Sequence, residues 1–395
     1  MRDAGQSDQI PAGHLWRPLD LQVDGDQVSG PVLALTGDII PIRRLAAPPE
    51  GFAALCGRLA AAEAAIGNFE IALVEGGAPL EKLMTIKGDP ALAADLPLLG
   101  LDLVTLANNH VPDYGLDGMR ATRALIEGAG LATIGFGETL AEARRPHVIV
   151  AGGRRIGVVA FTCLTPTGST AAADRPGLSA IRVRTGYEID PWYQMEEPGD
   201  PSVIRIRTHP VPEDLDTALA WVAEARRGCD MLVVTIHWGF GSGDDLAEYQ
   251  EPLGRALIDA GADVVHGHHP HAIHPVAFHR RKPILFGLGT FVGQQVLLPA
   301  SETARAMWAR MSPDGMIAEI GLDDGSLRLV PHRLAEDRLA RPATPGAAAE
   351  IADRLARLSA PFGTRIRLEA DGTTLVAEPP ACANRDGCAR PCAAA

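Results

Sequence analysis

Short apolar runs alternate with helix-like stretches along most of this chain, and this alternation is the feature that most limits how it can fold. An apolar run a few residues long predicts a buried strand, and a longer alanine-rich stretch predicts a helix. Strands that alternate with helices indicate an α/β fold built on a largely parallel sheet. The predicted elements are strands at 31–37, 64–70, 101–108 and 231–239 and around 264–271, and helices at 51–64, 115–128 and 213–227.

Glycine-containing turns predict hairpins between the other apolar runs. Gly152-Gly153 lies between two such runs, and Asp324-Gly325 lies between two more. A last hairpin is predicted near the carboxyl end, at 365–378. These hairpins are expected to add antiparallel strands to the fold.

Length and composition favour one large domain with short additions. The chain has 395 residues and 46% hydrophobic content, which is enough for a substantial core. We expect the main domain at 31–340, interrupted at about 166–212 by a partly irregular excursion rich in proline and charge. The remaining segments are predicted to be an N-terminal extension (1–30), a C-terminal helix and hairpin (341–380) and a disordered tail that contains cysteines (381–395).

The charge of the chain argues against nucleic-acid binding. Its formal net charge is −13, whereas a protein that binds nucleic acid regardless of sequence needs a basic surface. No apolar run is long enough for a membrane helix, and the first residues do not resemble a signal peptide. The sequence therefore predicts a cytoplasmic protein without a membrane anchor.

The six cysteines are not arranged as a zinc site. Cys56, Cys163 and Cys229 lie singly in apolar stretches, where a free cysteine usually acts as a small hydrophobic residue. The other three lie in the tail at a spacing that fits neither a zinc ribbon nor a zinc finger, and they are Cys382, Cys388 and Cys392. A reduced tail is the simpler interpretation.

Histidines are concentrated in one turn of the chain. Five of the twelve histidines fall between His266 and His274, directly after an apolar run. Imidazole is a common ligand of divalent metals, and we expect His269 and His271 to face the same side of an extended segment and to share a metal. A solvated polar loop is the alternative. A cluster of this density favours the metal.

Polar residues also end the other predicted strands. Asp38 follows the first strand, Glu70 ends the second, and Asn108, Asn109 and His110 end the third, while His237 ends the strand before the histidine turn. Taken singly, each could be a turn residue, a helix cap or a solvated strand end. Because ligands of open α/β sheets bind at the carboxyl ends of the strands, the set as a whole predicts a site of oxygen and nitrogen donors. Such donors suit manganese, iron or zinc.

The same strand ends carry a family resemblance. The motifs LTGD, IGNFE, LANNHVPDYG, IHWG, GHHPH and ILFGLGTF occur in this order between about residues 31 and 295. They resemble the bacterial poly-γ-glutamate capsule biosynthesis (CapA-type) family, which is itself similar to the calcineurin-like metallophosphoesterases. The resemblance implies a four-layer α/β/β/α sandwich of two mixed sheets with a site for one or two divalent metal ions.

The resemblance also implies roles for individual residues. His110 is implied as the proton donor of the reaction. The implied metal ligands are Asp38, Glu70, Asn109, His237, His269 and His271, with His268 as an alternative to His269. Two positions depart from the pattern: Asp38 is followed by Ile39-Ile40, where the wider superfamily has Asp-x-His, and Gly289-Thr290-Phe291 stands where the capsule family has Gly-Asn-Phe.

Three functions are compatible with these residues. The first is a phosphoesterase that uses a metal-activated water on a small anionic metabolite. The second is a γ-glutamyl or amide hydrolase, since the same kind of centre can polarise a carbonyl group. The third is a non-catalytic accessory protein of poly-γ-glutamate capsule synthesis.

Overall fold

The computed structural model describes residues 30–381. Apart from Gly30 and Ala381, the predicted N-terminal extension and the predicted cysteine-containing tail lie outside the described residues. The strands of the described part are β1 (Val32–Ile40), β2 (Ala64–Phe69), β3 (Ala72–Leu73), β4 (Lys87–Gly88), β5 (Leu103–Thr105), β6 (Ala132–Ile134), β7 (Phe136–Gly137), β8 (His147–Ala151), β9 (Arg154–Thr162), β10 (Gly177–Leu178), β11 (Val183–Ile189), β12 (Ile204–Pro210), β13 (Met231–His237), β14 (Val264–His268), β15 (Val276–His279), β16 (Lys282–Leu285), β17 (Thr290–Gly293), β18 (Asp314–Gly321), β19 (Leu327–Leu334), β20 (Ala340–Pro342), β21 (Arg365–Leu368) and β22 (Leu375–Glu378).

Helices lie in several of the connections between these strands. The α-helices within the described residues are α1 (Glu50–Ala61), α2 (Gly115–Gly128), α3 (Leu140–Ala143), α4 (Pro191–Glu196), α5 (Pro212–Arg227), α6 (Gln250–Asp259), α7 (Glu302–Trp308) and α8 (Pro345–Ser359). The 3₁₀ helices are Pro90–Leu99, Val111–Tyr114, Pro201–Val203, Gln294–Leu297 and Ala360–Phe362. No helix of this described part has the length and apolar character needed to cross a bilayer.

Two large mixed sheets dominate the fold. The first has ten strands in the order β21-β22-β19-β18-β1-β2-β5-β6, with β17 beside β1 and β20 beside β19. The second has six strands in the order β15-β16-β14-β13-β9-β8. The prediction of an α/β fold is confirmed.

The expectation of a largely parallel sheet is wrong for the ten-stranded sheet. Its parallel part is β17, β1, β2, β5 and β6, where strands alternate with helices or long connections. The strands from β18 onward pair antiparallel because tight hairpins join several of them. In the six-stranded sheet, β9, β13, β14 and β16 are parallel and only the two edge strands are antiparallel.

Alternate residues of β1 contribute to two different cores. Leu33 and Leu35 pack in one cluster with Val233 of the six-stranded sheet, whereas Ala34 packs in another with Phe52 of α1. This alternation follows from the period of two along a strand. The first cluster therefore fills the space between the two sheets, and the second lies between the ten-stranded sheet and its helices.

A third cluster covers the other face of the six-stranded sheet. Val234 and Ile236 of β13 pack there with Val222 of α5 and Leu257 of α6. The neighbouring Val233 points the opposite way, into the core between the sheets. The run from Met231 to Ile236 is apolar apart from Thr235 because the strand is buried on both faces.

The cysteines of the described part are buried free thiols, as predicted. Cys56, Cys163 and Cys229 are all buried and form no disulfide. Burial raises the pKa of Cys56 to about 12. These thiols pack as small apolar side chains and carry no thiolate chemistry at neutral pH.

The excursion at 166–212 is more regular than its composition predicts. It contains an antiparallel hairpin, β11–β12, in a continuous register from Val183–Pro210 to Ile189–Ile204. Helix α4 and a 3₁₀ turn lie between the two strands. The mixed composition hid these strands because most of their side chains are exposed on both faces, so no clear apolar alternation marks them.

Gly37 lies where β1 and the segment before β17 come into close contact. A Cβ atom at this position would lie 1.9 Å from the carbonyl oxygen of Gly289. We expect Gly37→Ala to lower the free energy of unfolding by about 1–3 kcal/mol, because two backbones must separate. Chemical denaturation measures the change.

Gly57 in α1 provides a matched control with the opposite expected sign. A Cβ atom there would have no other atom within 4 Å. Alanine is favoured over glycine in a helix interior, so Gly57→Ala should raise the free energy of unfolding by about 0.5–1 kcal/mol. Equal stability of the two variants would contradict the close contact at Gly37.

Candidate metal centre

The carboxyl ends of four strands meet between the two sheets. Asp38 lies near the end of β1, and Glu70 directly follows β2 in the same sheet. His237 and His268 end β13 and β14 of the other sheet, where they are register partners. These four residues are all buried. The sheet topology therefore gathers polar side chains that are far apart in the sequence.

The first group of donors consists of Asp38, His237 and His268. Each offers one atom, and these atoms all lie within 4.8 Å of one another. Nδ1 of His237 is 2.9 Å from Nδ1 of His268, and Nε2 of His268 is 2.8 Å from Oγ1 of Thr235. The group is thus compact enough to surround one cation.

The second group consists of Glu70, His269 and His271, and its donor atoms meet the same 4.8 Å limit. Oε1 of Glu70 is 3.9 Å from Nδ1 of His269 and 4.0 Å from Nε2 of His271. Nδ1 of His271 is also 3.1 Å from Oδ2 of Asp38. His271 therefore links the second group to the first.

Asn109 joins the site through His237. Its Oδ1 lies 2.7 Å from Nε2 of His237, and the same nitrogen lies 3.4 Å from Oε1 of Glu70. All seven residues named from the sequence as possible metal ligands therefore lie together near the carboxyl ends of the strands, a region that we call the rim. They are Asp38, Glu70, Asn109, His237, His268, His269 and His271.

The extended segment expected for His269 and His271 is not present. Both residues lie beyond the end of β14 and have positive φ values, 103° for His269 and 47° for His271. Positive φ is uncommon for residues other than glycine and is often found where function requires strain. This turn nevertheless places the ring centroids of His269 and His271 5.9 Å apart. The backbone amide of His269 donates to Oδ2 of Asp38 at 3.3 Å.

Two buried asparagines hold the strand ends together: Asn108, which the sequence placed among the polar strand ends, and Asn68, which the strand-end pattern did not identify. Nδ2 of Asn68 donates to Asp38 at 2.7 Å and approaches Oε2 of Glu70 at 3.4 Å. Nδ2 of Asn108 donates to Oδ1 of Asn68 at 2.9 Å, and its Oδ1 accepts from the amide of His110 at 3.1 Å. Asn68 could have been recognised in the sequence because it is a polar residue within the apolar run of β2.

His110 is held by a carboxylate. Its Nδ1 lies 2.8 Å from Oδ2 of Asp113, and both residues are buried. Lys82 donates to Oδ1 of Asp113 and to the carbonyl oxygen of Asn109, both at 2.6 Å. The sequence patterns did not identify Asp113 or Lys82 as residues of the site. The position of Asp113, three residues after His110, was a possible signal. This pairing fixes the orientation of the His110 ring.

Burial and charge set the protonation of the two donor groups. Burial alone would raise the pKa of Glu70, but the neighbouring His237 and His271 hold this pKa well below its usual value. Burial alone would lower the pKa of His271, but Glu70 and Asp38 raise it to about 9. Glu70 is therefore an anion, and in the metal-free protein its charge is balanced by protonated His271.

His266, His268 and His269 are neutral at pH 7. Burial, the largest cause, lowers the pKa of His269 to about 3 and that of His268 well below its usual value. Burial also lowers the pKa of His266 to about 4, and Nε2 of this residue is 3.0 Å from the carbonyl oxygen of Thr36. Neutral imidazoles retain the lone pair that a metal ligand needs. His266 is engaged with the backbone of β1.

Orphaned buried atoms indicate that these residues fit a cation. Oε1 of Glu70 and Nδ1 of His269 are buried without a hydrogen-bond partner among the described residues. Such orphans are rare in folded proteins, and each is unfavourable by about 1–3 kcal/mol. Carboxylate and imidazole donors without thiolate suit manganese, iron or zinc. The residues of the rim are therefore candidate ligands for a divalent ion.

Comparison with known proteins gives one family. The family model described as "Bacterial capsule synthesis protein PGA_cap" matches residues 32–295, which is more than half of the chain. This range includes every candidate ligand, together with His110 and Asp113.

Individual relatives agree with this match. An uncharacterized protein of Sinorhizobium fredii is 26% identical, over 87% of this chain and 92% of its own length. A "Probable polyglutamine synthesis accessory protein" of Mycobacterium tuberculosis is 30% identical, over 70% and 66% of the two chains. The "PGA biosynthesis protein CapA" of Bacillus subtilis is 28% identical, over 50% and 44%. The chain therefore belongs to the bacterial capsule synthesis (PGA_cap) family, the family of the CapA proteins.

Proposed function

We propose that this chain is a metal-dependent hydrolase, and specifically a phosphoesterase with one or two divalent cations. The observation that carries the proposal is the pair of buried donor groups that share one rim and keep unpartnered donor atoms. The proposed ligands are those named from the sequence: Asp38, Glu70, Asn109, His237, His269 and His271, with His268 as the alternative to His269.

We extend the proposal to the architecture, as a four-layer α/β/β/α sandwich of the metallophosphoesterase type. The apolar core between the two large sheets supports it, since it contains Leu35 of one sheet and Val233 of the other. Helices α1 and α2 pack on the outer face of the ten-stranded sheet, and α5 and α6 pack on that of the six-stranded sheet.

The proposed chemistry divides between the cation and the side chains. A divalent cation supplies Lewis-acid charge, which polarises a phosphoryl group and lowers the pKa of a water. Asn68 orients the carboxylates of Asp38 and Glu70, to which it lies within hydrogen-bonding distance. His110 donates a proton from Nε2 to the leaving oxygen, while Asp113 holds Nδ1 at 2.8 Å.

A second candidate is a role in the synthesis of an acidic γ-glutamyl polymer. The names of two relatives favour it, since they refer to PGA biosynthesis and to a polyglutamine synthesis accessory protein. In this role the chain would be a γ-glutamyl hydrolase or a non-catalytic accessory protein.

One experiment separates these functions. Protein purified without chelator is analysed for metal and then assayed against phosphoesters and γ-glutamyl peptides, before and after chelation. We expect phosphoester turnover that is lost on chelation and restored by Mn²⁺, Fe²⁺ or Zn²⁺. Turnover of γ-glutamyl peptides alone would identify the amide hydrolase. Binding of poly-γ-glutamate without turnover of either substrate would identify the accessory protein.

A further inference from the structure

Both ring nitrogens of His268 already have partners within the protein. Nδ1 lies 2.9 Å from Nδ1 of His237, and Nε2 lies 2.8 Å from Oγ1 of Thr235. His269 shows the opposite, because its Nδ1 is buried without a hydrogen-bond partner in the described part of the chain and lies 3.9 Å from Oε1 of Glu70. A metal ligand needs a free lone pair, so this contrast favours His269 over His268 as the ligand.

Strand geometry accounts for the contacts of His268. Thr235 and His237 are two residues apart on β13, and His237 is the register partner of His268 on β14. Residues two apart on a strand lie on the same face of the sheet. The three side chains are almost fully buried and form one continuous row in the order Thr235, His268, His237. We call these three residues the buried row.

The other ring nitrogen of His237 faces two of the proposed ligands. Nε2 lies 2.7 Å from Oδ1 of Asn109 and 3.4 Å from Oε1 of Glu70. An amide oxygen and a carboxylate can only accept, so Nε2 of the neutral His237 ring carries the proton. Nδ1 of His237 then accepts from Nδ1–H of His268, and Nε2 of His268 accepts from the hydroxyl of Thr235. The acceptors at the end of the buried row thus fix every proton along it.

A cation at Nε2 of His237 requires the opposite arrangement of protons. A histidine that binds a metal through one nitrogen normally donates its other N–H to a fixed partner. Among the described residues, Nδ1 of His237 lies 2.9 Å from Nδ1 of His268 and 3.3 Å from Nδ2 of Asn68. The amide nitrogen of Asn68 cannot accept a proton bond, whereas His268 can. Nε2 of His268 then donates to Thr235, whose hydroxyl accepts as well as donates.

We propose that His268 is a positioning residue that orients His237 with the support of Thr235, and that His268 is not itself a metal ligand. The inference rests on the proposed metal centre and leaves the other six proposed ligands in place. Two imidazole nitrogens bound to one tetrahedral zinc at about 2.0–2.1 Å would lie roughly 3.3 Å apart. The 2.9 Å between the two Nδ1 atoms is instead the length of a hydrogen bond.

The first measurement locates the ring protons in the metal-free chain. Long-range proton–nitrogen correlation spectra distinguish a neutral imidazole that is protonated at Nδ1 from one that is protonated at Nε2. Wild-type protein treated with chelator should show His237 protonated at Nε2 and His268 protonated at Nδ1. The signals are assigned by their loss in His237→Asn and in His268→Asn. The reverse tautomer at either residue would overturn the buried row.

The second measurement is Co²⁺ binding by the full chain, followed by visible absorption. We expect the dissociation constant to rise about 10–100-fold in His268→Ala and by a smaller factor in Thr235→Val, which keeps the shape of the side chain but removes its hydroxyl. The absorption spectrum at saturation should stay unchanged in both variants, because the ligands are the same. His268→Asn should restore part of the affinity, since its amide can take the place of Nδ1.

His332→Ala is the matched control for the loss of a buried imidazole. His332 is fully buried on β19 and lies outside both donor groups, so its loss should leave the dissociation constant for Co²⁺ unchanged. Far-UV circular dichroism establishes that each variant is folded. If His268→Ala does not fold, Thr235→Val and the tautomers of the wild-type protein decide the question.

The outcomes separate this inference from the proposed function. Unchanged Co²⁺ affinity in His268→Ala would overturn the positioning role and leave the metal centre intact. A changed spectrum at saturation in His268→Ala, with normal binding by Thr235→Val, would make His268 a ligand and would also overturn the inference. A wild-type chain that binds no Co²⁺ would overturn the proposed function and the inference with it.

Discussion

Glu70→Gln is expected to abolish cation binding and hydrolysis together. Glu70 is the only acid of its donor group, and its Oε1 lies within 4.0 Å of His237, His269 and His271. Glutamine keeps the shape of the side chain but removes the charge. Loss of a residue that only supports a ligand lowers metal affinity by about 10–100-fold, and loss of an anionic ligand should exceed that. We expect turnover to fall in parallel.

Stability provides a second measurement of the same change. A cation that binds only the folded state stabilises it by about 4 kcal/mol at a thousand times its dissociation constant. Added Mn²⁺ or Zn²⁺ should therefore raise the unfolding temperature of the wild-type chain and leave that of Glu70→Gln nearly unchanged. Glu336→Gln is the control for the loss of one charge, because Glu336 is exposed in the loop after β19. A Glu70→Gln protein with normal metal content and activity would refute the proposed ligand role.

The positions of three candidate ligands could be predicted because each lies at or just beyond the carboxyl end of a strand. Asp38, Glu70 and His237 lie at the carboxyl ends of strands that the apolar pattern marks, and parallel neighbours bring these ends together. Two further residues, Asn68 and Asp113, could not be assigned in this way. Asn68 lies inside the apolar run of β2, and its role depends on carboxylates from two strands. Contacts of this kind arise from tertiary structure, and local pattern does not contain them.

The turn at His269 and His271 shows a second limit of prediction from local sequence pattern, which concerns the backbone conformation. Alternation along the chain predicts an extended backbone, but both residues have positive φ. Such a conformation is unfavourable locally and persists only where tertiary contacts compensate for it. Here the amide of His269 contacts Asp38, and the ring of His271 contacts Thr290 and Asp38. These partners come from β1 and β17, which are distant in sequence.

The order of the strands within the sheets could not be predicted from the sequence either. The alternation of strands and helices predicted the parallel central strands correctly. It did not predict that β18 pairs with β1. Nor did it predict that β19, β22 and β21 extend the same sheet beyond β18. Hairpin turns predict which strands are neighbours, whereas the edge on which a hairpin docks depends on the apolar surface left exposed there.

His110→Ala is expected to separate proton donation from metal binding. His110 lies outside both donor groups and is paired with Asp113, so its loss should leave the metal content unchanged. General acid catalysis contributes about 10²–10⁴-fold, and turnover of an alkyl phosphate should fall by that factor. Assays with matched metal content measure the effect.

The leaving group of the substrate tests the assigned role. A nitrophenolate leaves without protonation, so an aryl phosphate should lose much less turnover in His110→Ala than an alkyl phosphate does. His279→Ala is the control, because His279 forms a similar pair with Asp259 at 2.8 Å. It ends β15, which runs antiparallel to β16, and so lies at the rim opposite the donor groups. Equal losses on both substrates would mean that His110 positions the site and does not donate the proton. Loss of metal together with activity would make His110 part of the binding site.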